Sequence, residues 1–154
     1  MIRRTFLKGT LAGGSVAVAV GAGLLAPSTV MAAWPKKAFE AKGVDNTLTA
    51  LLGGKNTTSS KDIKIKAPDI AENGAVVPVS VTAKQSGIDS ISILAASNAT
   101  PLCGSFNLGS TAEGYVSTRI KMGKTSKVIA VVKAGGKVYS AQKDVKVTIG
   151  GCGG

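Results

Sequence analysis

Alternation of apolar and polar residues at period two, which begins at Asp62 and persists to Ile149, limits this chain more than any other feature. Ile63-Lys64-Ile65-Lys66 sets the pattern, a turn around residues 68–74 follows, and further runs cover 76–83, 88–95, 102–108, 115–122, 126–134, 137–143 and 145–149. Side chains in a strand point alternately to opposite faces, so each run reads as a strand with one face buried. About seven such runs, spaced by roughly 8–12 residues with Gly, Pro, Asn and Ser between them, predict an antiparallel β-sandwich of immunoglobulin-like type. A small barrel is the alternative. Gly135-Gly136 reads as a hairpin turn. Val76, Val79, Val81, Val128, Ile129, Val131 and Val132 are core candidates, and Pro78, which has no N–H to give a ladder, should mark an edge or a bulge.

Upstream of the alternation, residues 34–56 form the one plausible helical region. Asp45 can cap, Leu48, Leu51 and Leu52 share a face, and Gly53-Gly54 closes it. A helix this short must pack on something. The polar run 55–61 reads as a linker.

The beginning of the chain has another purpose. Arg3, Arg4 and Lys8 precede an apolar, glycine-broken run over 11–26 and small residues ending at Ala32. A basic head, a run too short to span a bilayer and a small-residue cleavage site make a secretory leader, and Arg3-Arg4 with Phe6-Leu7-Lys8 resembles the twin-arginine type. Four segments result: a signal peptide over 1–32, a helical segment and linker over 33–58, a β-sandwich over 59–149 and a tail over 150–154. The expected location is the periplasm, with no membrane anchor after cleavage. Because the twin-arginine route moves folded proteins, a co-exported partner is expected.

Removing the leader takes three basic residues from a formal net charge of +11 and leaves +8. The lysines are scattered singly on alternating strands and only three aromatics lie beyond Phe39, so a solvated cationic face fits better than a nucleic-acid surface.

Catalytic parts are scarce. The chain has no histidine, so it has no imidazole base or ligand, and its two cysteines stand 49 positions apart. Asp89, Glu113 and Asp144 are isolated carboxylates, and no glycine-rich run opens a helix to cradle phosphate. No cofactor and no metal site is expected. What remains is Cys152, placed between Gly150-Gly151 and Gly153-Gly154. Glycine pairs make a thin, pliable tail, which is either a frayed end, one half of a disulfide with Cys103, or an arm that carries the thiol outward. A thiol of pKa ~8.5 is only a few per cent ionised at neutral pH, so its activation would come from outside. That suits a carrier better than an enzyme. A disulfide-stapled exported structural or adhesion β-domain is the alternative.

The terminal Gly150-Gly151-Cys152-Gly153-Gly154, the runs Val138-Tyr139 and Val145-Lys146-Val147-Thr148, the segment from Ala71-Glu72-Asn73-Gly74 through Val79, and the leader together resemble the SoxY family. SoxY proteins are the sulfur-carrying subunits of the bacterial thiosulfate-oxidising Sox system. The resemblance implies that Cys152 is the covalent attachment point for sulfur intermediates, with Gly150, Gly151, Gly153 and Gly154 as flexible joints. It implies no catalytic residue. It also implies a heterodimer with SoxZ, transient contacts with the haem cytochrome SoxAX and the hydrolase SoxB, and in some systems a sulfane dehydrogenase. An exposed terminal thiol also invites a homodimer through Cys152. Where this chain has Cys103, the resemblance implies a small residue such as alanine; Cys103 reads as a small buried hydrophobe.

Overall fold

A computed structural model describes residues 35–148. The expected signal peptide over 1–32 and the expected arm over 150–154 lie outside the described residues.

The alternating runs become strands that divide between two sheets. The smaller sheet is antiparallel, in the order β2 (Ile63–Lys66), β4 (Val77–Ala83), β7 (Tyr115–Ile120). The larger takes the order β1 (Thr58–Ser59), β9 (Lys137–Val147), β8 (Ser126–Ala134), β5 (Ile88–Ala95), β6 (Leu102–Asn107), and β3 (Ile70–Ala71) also pairs with β9. β1 and β3 run parallel to β9, whereas β9 with β8, β8 with β5 and β5 with β6 pair antiparallel.

Period two sets the packing. In β4 the inward positions Val77, Val79, Val81 and Ala83 are all buried, while Pro78 and Thr82 between them are exposed. They meet Ile91, Ile93, Val128, Val132 and Val145 of the larger sheet in one continuous core, which makes the molecule a β-sandwich rather than a closed barrel. Each fully buried valine or isoleucine adds about 1.5–3 kcal/mol of transfer free energy. Gly135 and Gly136 have φ of 54° and 74°, the left-handed values that the two-residue turn between β8 and β9 requires.

The outer face of the larger sheet is covered as well. The helical region is two helices, α1 (Lys36–Glu40) and α2 (Val44–Leu52), broken at Gly43. Ala38 and Leu48 pack on Leu94, Leu102 and Val131, forming a second apolar cluster. The core candidates of β8 therefore divide between faces: Val128 and Val132 enter the inter-sheet core, and Val131 and Ile129 belong to the helix-covered face.

Four local expectations are corrected. Val76 is 49% exposed, because its N–H donates to the Asn73 carbonyl in a turn and the strand takes its phase from Val77. Asp45 lies in the first turn of α2, whose N-cap is Gly43; the left-handed C-cap at Gly53 is as expected. Pro78 sits in the central strand of its sheet, in register with Arg119. It is tolerated there because β2 ends at Lys66, opposite Ser80, leaving that side of β4 open at Pro78. Finally, the polar run 55–61 holds β1, where Thr58 pairs with Tyr139 and the Thr57 and Ser140 hydroxyls lie 2.9 Å apart.

Candidate functional site

Cys152, Gly150, Gly151, Gly153 and Gly154 all lie outside the described residues. What the structure shows is the base from which they leave. β9 is held along both sides almost to its end: Ser126 pairs with Val145 on one side, and Ile70 and Ala71 pair with Lys146 and Val147 on the other. The Val147 N–H donates to Thr125 Oγ1 at 3.0 Å, and the Thr148 N–H donates to the Ala71 carbonyl at 3.1 Å. Beside it, the Lys143 ammonium approaches Asp69 at 3.0 Å. With the Asp69 carboxylate 89% exposed, that pair contributes at most about 1 kcal/mol, so the clamp is chiefly backbone hydrogen bonding.

Cys103, the other thiol, stands on β6, an edge strand of the larger sheet, half-buried against the inter-sheet core. Its Sγ–H donates to the Pro101 carbonyl at 3.4 Å, and the Asn98 amide nitrogen approaches Sγ at 3.9 Å. Burial pushes the thiol above its ordinary range, a shift only partly offset by backbone hydrogen bonding. Cys103 is thus a neutral, weakly nucleophilic group at neutral pH.

A groove of about 540 Å³ opens beside it, between the β5–β6 turn and the end of β7 with the β7–β8 turn. Asn98 fastens the two turns together. Its amide nitrogen donates to the Lys121 carbonyl at 2.7 Å, and its amide oxygen accepts from the Gly123 N–H at 3.0 Å. Arg119, Lys121 and Lys124 line the groove with Ser97, Thr100 and Cys103, and no carboxylate does. Sequence reading missed this groove, because its cations look like scattered surface lysines until two distant turns are joined. A second groove, about 550 Å³, lies on the smaller sheet, where Tyr115 and Ser80 meet at 3.5 Å. Among the described residues no cluster of His, Cys, Asp and Glu could hold a metal ion, and no helix is long and apolar enough to cross a membrane.

The family model described as "Sulfur oxidation protein SoxY" matches residues 48–152. The chain belongs to the SoxY family. The SoxY match starts within α2 and its last residue is Cys152, so it takes in the whole sandwich. Among solved structures, the sulfur carrier protein SoxY from Chlorobium limicola f thiosulfatophilum is similar at 44% sequence identity, with a TM-score of 0.62. That likeness covers 68% of this chain and 96% of the Chlorobium protein. No curated protein matches the chain.

Proposed function

We propose that this SoxY-family chain is a covalent sulfur carrier of the periplasm, exported by the twin-arginine route, with Cys152 as the attachment point and the flanking glycines as its joints. The observation that carries this reading is the extent of the family match, which continues past the last strand and through Cys152. Its similarity over nearly the full length of a sulfur carrier protein supports the same reading.

The chemistry follows from the thiol. Joining the sulfane end of thiosulfate to Cys152 forms a sulfur–sulfur bond and yields Cys–S–S–SO3−, with two electrons withdrawn; a haem cytochrome of SoxAX type is the acceptor. Water attack at the terminal sulfonate sulfur, on a SoxB-type hydrolase, releases sulfate and leaves Cys–S–S−. A sulfane dehydrogenase or another acceptor then takes the remaining sulfur. In each step this chain supplies the attachment and the reach, and the partner supplies base, metal or electron acceptor. A fully extended chain spans at most ~3.3–3.6 Å per residue, so four residues from Thr148 carry Cys152 up to roughly 14 Å from the end of the described sandwich. SoxZ is the expected stable partner.

Intact-mass analysis of the chain after incubation with thiosulfate and the partner enzymes tests the proposal. A thiosulfonate or sulfane increment on the C-terminal peptide, absent in Cys152→Ser, is the expected result. An internal Cys103–Cys152 disulfide in the functional population would sink it and favour a stapled structural domain.

A further inference from the structure

The groove between the two turns has features that carriage on Cys152 does not use. Arg119, Lys121 and Lys124 bring three cations to it, and among the described residues none of the three enters an ion pair. Lys121 and Lys124 are exposed, and the backbone of the turn that bears them is tied to the β5–β6 turn through both atoms of the Asn98 amide. An anion in a groove lined by cations and by no carboxylate is attracted by their summed field. The Cys103 thiol at the wall, kept protonated by burial, brings no competing negative charge. Ser97 and Thr100 add hydroxyl-bearing residues to the same lining.

The groove also adjoins the end of β9. Residues 121–125 join β7 to β8, and Lys121, Gly123 and Lys124 of that turn line the groove. The next residue, Thr125, both donates to the Val147 carbonyl at 3.4 Å and accepts the Val147 N–H. One short turn therefore forms a wall of the groove and clamps the strand from which residues 149–154 continue. Cys152 lies four residues past Thr148, within reach of that wall at ~3.3–3.6 Å per residue.

We propose that this groove binds the tetrahedral –SO3− head of a sulfur oxyanion, using Arg119, Lys121 and Lys124 on a frame fixed by Asn98. The head can arrive on free thiosulfate or sulfate, or on the thiosulfonate borne by Cys152, and only the second source rests on the carrier reading. Binding there holds the anionic end of a loaded arm against the sandwich between visits to partners.

Backbone amide NMR of the full chain tests this directly. Sodium thiosulfate is titrated at constant ionic strength against sodium chloride, following the amides of Asn98, Gly123 and their neighbours. Saturable shifts confined to the two turns are expected with thiosulfate, with apparent affinity weakened about tenfold or more in Lys121→Glu and Lys124→Glu and unchanged in Lys64→Glu on the smaller sheet. In a second arm, Cys152 of a Cys103→Ala variant is loaded chemically with tetrathionate. The thiolate displaces thiosulfate from the reagent and retains –S–SO3−, and the released thiosulfate is dialysed away. Shifts of the same amides without free anion assign the arm-borne source; saturation by free thiosulfate alone assigns the free one. Shifts no larger than those with chloride, together with unmoved amides in the loaded chain, overturn the proposal. Neither arm uses a partner enzyme, so an absence of enzymatic loading at Cys152 would fail the carrier reading without deciding the groove.

Discussion

Cys103 is the thiol that lies within the described residues, and it can be tested alone. Burial holds its pKa above the value of an ordinary thiol, with backbone hydrogen bonding a smaller opposing effect. Below that value the thiol is protonated in folded and unfolded chains alike and stability does not depend on it. As pH rises past it, the unfolded chain releases its proton first, so stability falls until the folded thiol titrates too. Denaturant unfolding of the wild type should lose stability over this alkaline window relative to Cys103→Ala, and alkylation of folded Cys103 should inflect at higher pH than a free thiol does. Equal pH slopes for the two proteins would contradict the assignment. Glycine gives a second residue-level expectation. A Cβ on Gly74 would overlap the Met122 carbonyl and lie 2.8 Å from Val147 Cγ1, whereas one on Gly109 meets nothing within 4 Å. Gly74→Ala should therefore cost about 1–3 kcal/mol in thermal or chemical unfolding. Gly109→Ala should stay within about 0.5 kcal/mol of the wild type.

Among elements, α2 is the one whose contribution is most easily measured. Leu48 is 7% exposed and packs with Leu94, Leu102 and Val131, so Leu48→Ala should lose about 2–5 kcal/mol and loosen the cover over β5 and β8. Hydrogen exchange should then quicken first in those strands' outward residues; unchanged stability would mean that the helices only rest on the sheet. This cover also explains what sequence could and could not reveal. β4 was legible as a strand because only one of its faces is buried, and Val79, Val81 and Ala83 repeat at period two. In β5 every residue from Ile91 to Ala95 is buried, since the helices close the second face, and alternation there no longer tells inside from outside. The expected break between 143 and 145 does not exist. Asp144 is an exposed position paired with Lys127, and β9 runs through it without interruption. β1 and β3 are too short to carry a pattern and take their structure from the edge of β9. Cys152, which lies outside the described residues, was proposed from sequence alone, because a thiol bracketed by glycines is defined by its immediate neighbours. The cationic groove was not, since it exists only where two turns distant in sequence meet across Asn98.

At the scale of the molecule, the carrier reading requires that what holds the fold and what bears the sulfur be separable. Among the described residues, two apolar clusters, one between the sheets and one beneath the helices, hold the fold together. The proposed attachment point is outside those residues, flanked by glycines that have no side chains to bury. Two variants put this to the test from opposite sides. Cys152→Ser should leave the melting temperature within about 2 °C of the wild type while abolishing every sulfur adduct. Val79 is 1% exposed at the centre of the inter-sheet core, and Val79→Ala should cost about 2–3 kcal/mol and lower the melting temperature by on the order of 10 °C. Yet the molecules of that variant still folded at assay temperature should be loaded with thiosulfate at the wild-type rate, because on the carrier reading the reacting thiol belongs to the arm and the catalytic groups to the partner. A large drop in melting temperature for Cys152→Ser would show that the thiol is part of the fold. Slow loading of folded Val79→Ala would show that the sandwich takes part in the chemistry and does more than support the arm.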